Sequence, residues 1–210
     1  DIPRREQTED MLKFGGISPD PEADNIPYWQ TGVSLVVNRR IKWLLLLFLA
    51  ENFTYPVLHY FQWVTEPGRY PDLVLFMPLL IGTGGNAGSQ TVSTVIRGLA
   101  LGEIKTSNAF RVLGREWLTG VLLGLILGSV GVAYAHLWRG QPWAVASVIG
   151  LSLFGVCAWA NTIGALVPLT ARRLNIDPAV ISAPFITTLV DATGLVLYYT
   201  IAITLLGITR

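Results

Sequence analysis

Apolar residues gather into five long runs along the chain, at about 41–63, 73–97, 109–137, 143–170 and 184–208, with short polar stretches between them. Each run is close to or longer than the ~20 residues that cross about 30 Å of hydrocarbon as a helix. Lipid offers no partner for backbone N–H and C=O groups, so a spanning segment must be a helix or part of a closed barrel. The short alternating segments of a barrel are not seen. The pattern predicts an all-α integral membrane domain over residues 41–210, with five transmembrane helices per protomer. The longer third and fourth runs imply tilt or extension beyond the bilayer.

Residues 1–40 precede these runs. Pro3, then RREQTEDMLKF, then Gly15 and Gly16 read as a short helix with proline in its first turn and glycine at its end. Met11, Leu12 and Phe14 are too few for a core, and SPDPEADNIP behind them reads as a linker. So short a helix is marginal unless docked. A chain that starts at Asp1 also reads as a fragment with its upstream part missing.

Composition agrees with the pattern. Hydrophobic residues make up 51% and charged residues only 14%, with a mean hydropathy of +0.49; soluble domains carry about 25% charged residues. The first apolar run begins behind Arg39, Arg40 and Lys42 and is too long for a signal peptide. Cys157, the lone cysteine, excludes an internal disulfide. A net charge of +1 says little about partners, and no nucleic-acid partner is expected.

The distribution of charge says more. With the N-terminus inside, one side receives Arg4, Arg5, Lys13, Arg39, Arg40, Lys42, Arg97, Lys105, Arg111, Arg115, Arg172 and Arg173. The other receives Arg69, Arg139 and Arg210. Twelve against three predicts a cytoplasmic N-terminus and an outer C-terminus. Trp and Tyr residues sit mostly at run ends, as an aromatic belt requires.

Candidate chemistry lies in the second and fifth runs. From Met77 the second reads MPLLIGTGGNAGSQTVSTVIRG, with Pro78, Gly82, Gly84, Gly85 and Gly88 beside Asn86, Ser89 and Gln90. Two readings stand. The glycines form a small-residue packing face, with G-x-x-x-G spacing at Gly84 and Gly88. Alternatively they interrupt the helix where it lines a wet cavity.

The fifth run carries Pro184, Thr187, Thr188, Asp191, Gly194, Leu195 and Tyr198 on one helical face. A charge at the bilayer centre costs roughly 2.5–3.5 kcal/mol even on insertion scales. Asp191 therefore faces water, an ion or a partner charge, or is protonated; the runs hold Lys and Arg only towards their ends, with none at mid-membrane depth to pair with it. Glu51 is a second intramembrane acid, open to a pathway role or a helix–helix hydrogen bond. It lies roughly 12 Å along a helix from His59, too far for contact. Asn161 and Thr162 are candidates for interhelical hydrogen bonds, and Pro168 is expected to kink its helix.

A lone carboxylate with hydroxyls and carbonyls is an oxygen-only donor set, suited to a hard cation such as hydrated Mg²⁺. One Asp191 leaves a divalent ion half neutralised, and two, related by a two-fold axis along a pore, would match its charge. The expected unit is a homodimer with its pore at the two-fold interface.

The stretches PLLIGTGGNAGSQTVSTVIRGLALGEI (78–104) and NIDPAVISAPFITTLVDATGLVLYY (175–199) resemble the transmembrane domain of the MgtE-type magnesium transporters. The similarity runs from about residue 5 to the C-terminus. It implies a homodimer of five-helix protomers in the prokaryotic cytoplasmic membrane, with a Mg²⁺-selective pore lined by the second and fifth helices. Asp191 would hold a largely hydrated Mg²⁺, with Asn86, carbonyls of the Gly82–Gly88 stretch (Gly85 among them) and the Thr187 carbonyl on its water. Pro184, Thr188, Gly82, Gly88, Gln90 and Gly194 would line the pore. REQTEDMLKFGG resembles the end of that family's connecting helix, with Glu9 and Asp10 matching an acidic pair in cytosolic Mg²⁺ sensing. The family's soluble N-terminal and CBS domains are absent from these 210 residues, which puts normal gating in question.

The expected function is Mg²⁺ influx down its electrochemical gradient, with no enzymatic activity. No G-x-x-x-x-G-K-[ST] motif supports an ATP-driven pump. The rival is a proton-coupled secondary divalent-cation transporter using Asp191 and Glu51. A non-conducting assembly or sensor module is a third class.

Overall fold

The computed structural model describes residues 27–176 and 183–209, and all their regular structure is helical. The expected N-terminal helix and the acidic pair Glu9 and Asp10 lie outside the described residues. Six α-helices follow in order: α1 Val33–Glu51, α2 Thr54–Phe61, α3 Met77–Ala100, α4 Ala109–Ala133, α5 Trp143–Arg173 and α6 Ala183–Leu206. A π-helical turn, Tyr134–Trp138, prolongs α4, and a 3-10 segment, Pro71–Phe76, leads into α3. Among the described residues, three stretches are long and apolar enough to cross a membrane by length and composition: Thr106–Trp138, Trp143–Arg173 and Ala183–Leu206.

The first apolar run, expected as one helix over 41–63, is two. Pro56 has no N–H to give to the Asn52 carbonyl, and its ring crowds that carbonyl. The chain turns at Asn52 and Phe53, whose backbone N–H groups donate to Leu49 and Ala50 at 3.2 and 3.0 Å. The Asn52 amide adds a bond to the Phe48 carbonyl at 2.7 Å. The helix also starts at Val33, inside the segment expected to be linker. Val33, Leu35, Val36 and Val37 carry the apolar pattern upstream with no breaker after Gly32. Arg39, Arg40 and Lys42 thus belong to α1, of which only Leu47 is buried.

The centre of the fold is α5, which packs against α3, α4 and α6. It stays helical through Pro168 to Arg173. Its seam with α4 is made of glycine. A Cβ at Gly120 would lie 2.8 Å from the Cys157 carbonyl oxygen. At Gly124 and Gly128 it would lie 2.6 Å from the carbonyl oxygens of Phe154 and Gly150. Small residues let membrane helices approach until van der Waals contact is made by the backbones themselves. At one end of the bundle, Phe61 stacks on Tyr199 with ring centroids 4.9 Å apart. There the buried Tyr198 hydroxyl donates to the Leu73 carbonyl at 2.9 Å.

Candidate ion-binding site between α3 and α6

The glycine-rich stretch of α3 is an unbroken α-helix, so the interrupted-helix reading is corrected in favour of the packing face. Its cause is the neighbours it meets. Gly84 lies against Val156 of α5 and Val190 of α6, and Gly88 against Ile186, Val190 and the Ala160 carbonyl. Close approach, not backbone opening, is what these glycines supply. The carbonyls of Gly82–Gly88 are consequently engaged in a regular helix.

Gly85 is the point where this packing reaches the carboxylate. A Cβ there would stand 3.2 Å from Thr187 Cγ2 and 3.7 Å from Asp191 Oδ1. Gly85, Thr187 and Asp191 thus lie together. The Asp191 residue is half-buried, and its Oδ1 is shielded yet has no hydrogen-bond partner. A buried carboxylate oxygen without a donor is costly, and native structures keep such groups where an ion or a functional role compensates. The Thr187 and Thr188 hydroxyls turn away from the carboxylate and donate to the Pro184 carbonyl at 2.7 and 3.1 Å.

Other expected pore residues divide by exposure. Gly82, Asn86 and Gln90 are exposed in the protomer and Pro184 is half-buried. With Pro78, Ser93 and Arg97, also exposed, the α3 residues form one stripe at spacings of about four. Ser93 and Arg97 extend the stripe by the same period beyond the expected pore residues. By contrast Thr188, Gly88 and Gly194 are buried inside the protomer, Gly194 against Val156. The expected stripe on α6 is therefore narrower: Pro184, Thr187 and Asp191 lie at its edge, while Thr188, Gly194, Leu195 and Tyr198 face the core.

Glu51 ends α1, which packs against α6, the helix that carries Asp191. Sequence spacing could not show this, because the two helices come together only through packing. His59 is exposed and stacks on Tyr55. Among the described residues no three His, Cys, Asp or Glu side chains gather to cage a metal. One protomer offers an ion carboxylate charge and open polar surface but no complete inner coordination sphere, a donor set that suits a cation keeping its water.

Asn161 makes the interhelical bond expected of it: it accepts from the Thr91 hydroxyl at 2.6 Å and donates to the Cys157 carbonyl at 2.8 Å. Thr162 does not, since its hydroxyl bonds back to Ala158 of its own helix at 2.7 Å.

Residues 77–201, which contain α3 through most of α6, match the MgtE family, described as divalent cation transporter. The magnesium transporter MgtE of Thermus thermophilus is 35% identical over 202 residues, covering 96% of this chain and 43% of that protein. That of Bacillus subtilis is 30% identical over the same shares. The Enterococcus faecalis magnesium transporter MgtE is 36% identical over 166 residues, 79% of this chain and 36% of that protein. The chain thus spans less than half the length of these relatives.

Proposed function

Because this chain belongs to the MgtE family of divalent cation transporters, and so to the integral membrane proteins, we propose that it carries Mg²⁺ across the membrane through a pore shared by two copies. α3 and α6 line the pore, and the Asp191 carboxylates of the two protomers face one hydrated ion at the two-fold axis. The paired helix α1–α2 and the polar α3 complete five spans beside the three apolar ones. The observation that carries this reading is the Asp191 Oδ1, buried without a donor beside Gly85 and Thr187, at the edge of an open polar stripe on α3. Facing lipid, Asn86 and Gln90 would leave their amides unsatisfied; facing a second copy across water, they bond the ion's hydration shell.

Influx needs no other energy source. A membrane potential supplies roughly 2.3 kcal/mol per charge per 100 mV, and a divalent cation gains about twice that. The charge distribution supports a cytoplasmic N-terminus in the prokaryotic cytoplasmic membrane. Gating would fall to the parts of the family's proteins that these 210 residues do not include, with Glu9 and Asp10 as this chain's own contribution.

The test is Mg²⁺ uptake into vesicles or rescue of Mg²⁺-dependent growth by Asp191→Asn and Asp191→Ala. Near-complete loss with intact folding is expected, and wild-type uptake from Asp191→Ala would sink the central role of this residue. The packing of α1, which ends at Glu51, against α6, which carries Asp191, favours one second reading, in which the two acids pass a proton against the cation. Uptake under imposed pH gradients separates the two. Strict dependence on a proton gradient, abolished by Glu51→Gln, would favour exchange; indifference to it, with only a mild effect of that change, favours the channel.

A further inference from the structure

A second feature lies away from the α3–α6 site. A groove of about 400 Å³ runs between the start of α3 and the end of α4, floored by Leu153 of α5. Its walls are Leu79 and Thr83 on one side and Leu127, Val130 and Tyr134 on the other. Leu75 to Thr83 and Leu127 to Tyr134 each advance roughly 10–12 Å along a helix axis. That is close to the ~15 Å depth of one leaflet's hydrocarbon, half of about 30 Å. The groove thus runs the way an acyl chain lies.

Its mouth is marked by charge. Arg139 is the only charged residue lining the groove. Exposed Trp138 and Trp143 flank it, the residues that sit at the headgroup level of a bilayer. Asp72, on the segment leading into α3, accepts from the Gln141 amide at 3.1 Å and forms no ion pair with Arg139. An apolar slot one leaflet deep, ending at a guanidinium among interfacial tryptophans, has the shape and charge of one ligand class. A guanidinium matches a phosphate in fork geometry, and apolar walls match a hydrocarbon tail.

We infer that the groove between α3 and α4 is a binding site for one anionic glycerophospholipid, its tail between Leu79, Thr83 and Val130 and its phosphate on Arg139. A second copy of the chain is the competing occupant. The narrow, apolar slot favours a single chain over a helix surface, and the site needs only that the protein sits in a bilayer. It stands or falls apart from the pore.

The test uses the purified chain with equal amounts of phosphatidylglycerol and phosphatidylcholine, counting retained lipids by native mass spectrometry. Phosphatidylglycerol should be retained about fivefold over phosphatidylcholine, the size of one cation's contact with an anionic headgroup. Arg139→Gln should bring that ratio close to one. Val130→Trp, which fills the slot, should lower retention of both lipids. Because Arg139 is exposed, its variant should fold and decides the headgroup contact even if the filling variant does not; Thr83→Leu is a gentler fill. Equal retention of the two lipids by the unaltered chain would overturn the proposal. So would a ratio unmoved by Arg139→Gln, or retention unmoved by filling. Protection of the groove from brominated phosphatidylglycerol in the assembled protein would assign it to a second copy instead.

Discussion

The Thr91 hydroxyl of α3 donates to the Asn161 side-chain oxygen of α5 at 2.6 Å, with both residues buried. Asn161 in turn is held to its own helix through the Cys157 carbonyl. This pair bonds α3 to α5 across their shared interface. Thr91→Val should cost about 0.6 kcal/mol and at most about 1.7, the range measured for hydrogen bonds between membrane helices. Thermal or denaturant unfolding in detergent measures it. No loss at all would mean that packing alone sets the register of α3.

The glycine seam should be far less forgiving. Gly124→Ala and Gly128→Ala place a methyl 2.6 Å from a carbonyl oxygen that has no rotamer to adopt. Overpacking of this kind costs about 1–3 kcal/mol, and the rigid partner puts these two at the upper end. Gly82→Ala, with nothing within 4 Å of the added carbon, should leave stability within about 0.5 kcal/mol. A melting-temperature comparison of the three variants checks the contrast.

Much of this was legible in advance, for a physical reason. Each apolar run had to be helical in lipid, and a lone acid in such a run had to have a compensating environment. The ends of α5 and α6 fall within a few residues of expectation because their patterns are uninterrupted. The break between α1 and α2 carried a readable signal in Pro56, which the apolar run around it masked. The glycines of α3 were ambiguous by nature. The same residues permit both an opened backbone and a close crossing, and only the presence of Val156, Ile186 and Val190 decides between them. The burial of Thr188 and Gly194 could not be read at all. A face drawn at i, i+3, i+4 and i+7 is wide enough to include both a core edge and a pore edge, and the neighbours determine where one ends.

Removing the charge at position 191 should separate stability from transport. In the protomer the Oδ1 of Asp191 has no donor, and an amide is cheaper to bury than an unpaired carboxylate. Asp191→Asn should therefore melt no lower than the parent protein in Mg²⁺-free detergent while losing uptake. Lower stability would show that the carboxylate is held by contacts within the fold, against its role as an ion ligand.

Tyr198→Phe removes the hydroxyl that donates to the Leu73 carbonyl and so breaks the bond between α6 and the segment leading into α3. The expected cost is about 0.5–1.5 kcal/mol. Hydrogen exchange should show the effect concentrated in the 3-10 segment Pro71–Phe76 that this bond ties to α6.

The seam between α4 and α5 has a mechanical consequence. Where two helices meet through side chains, they can slide by exchanging rotamers. Where an α-carbon rests on a carbonyl, as at Gly120, Gly124 and Gly128, there is no intermediate position to occupy. α4 and α5 are thus in backbone contact, whereas α3 and α6 meet largely through the branched side chains of Ile186, Thr187 and Val190. The contact with more room to adjust is the one beside Asp191.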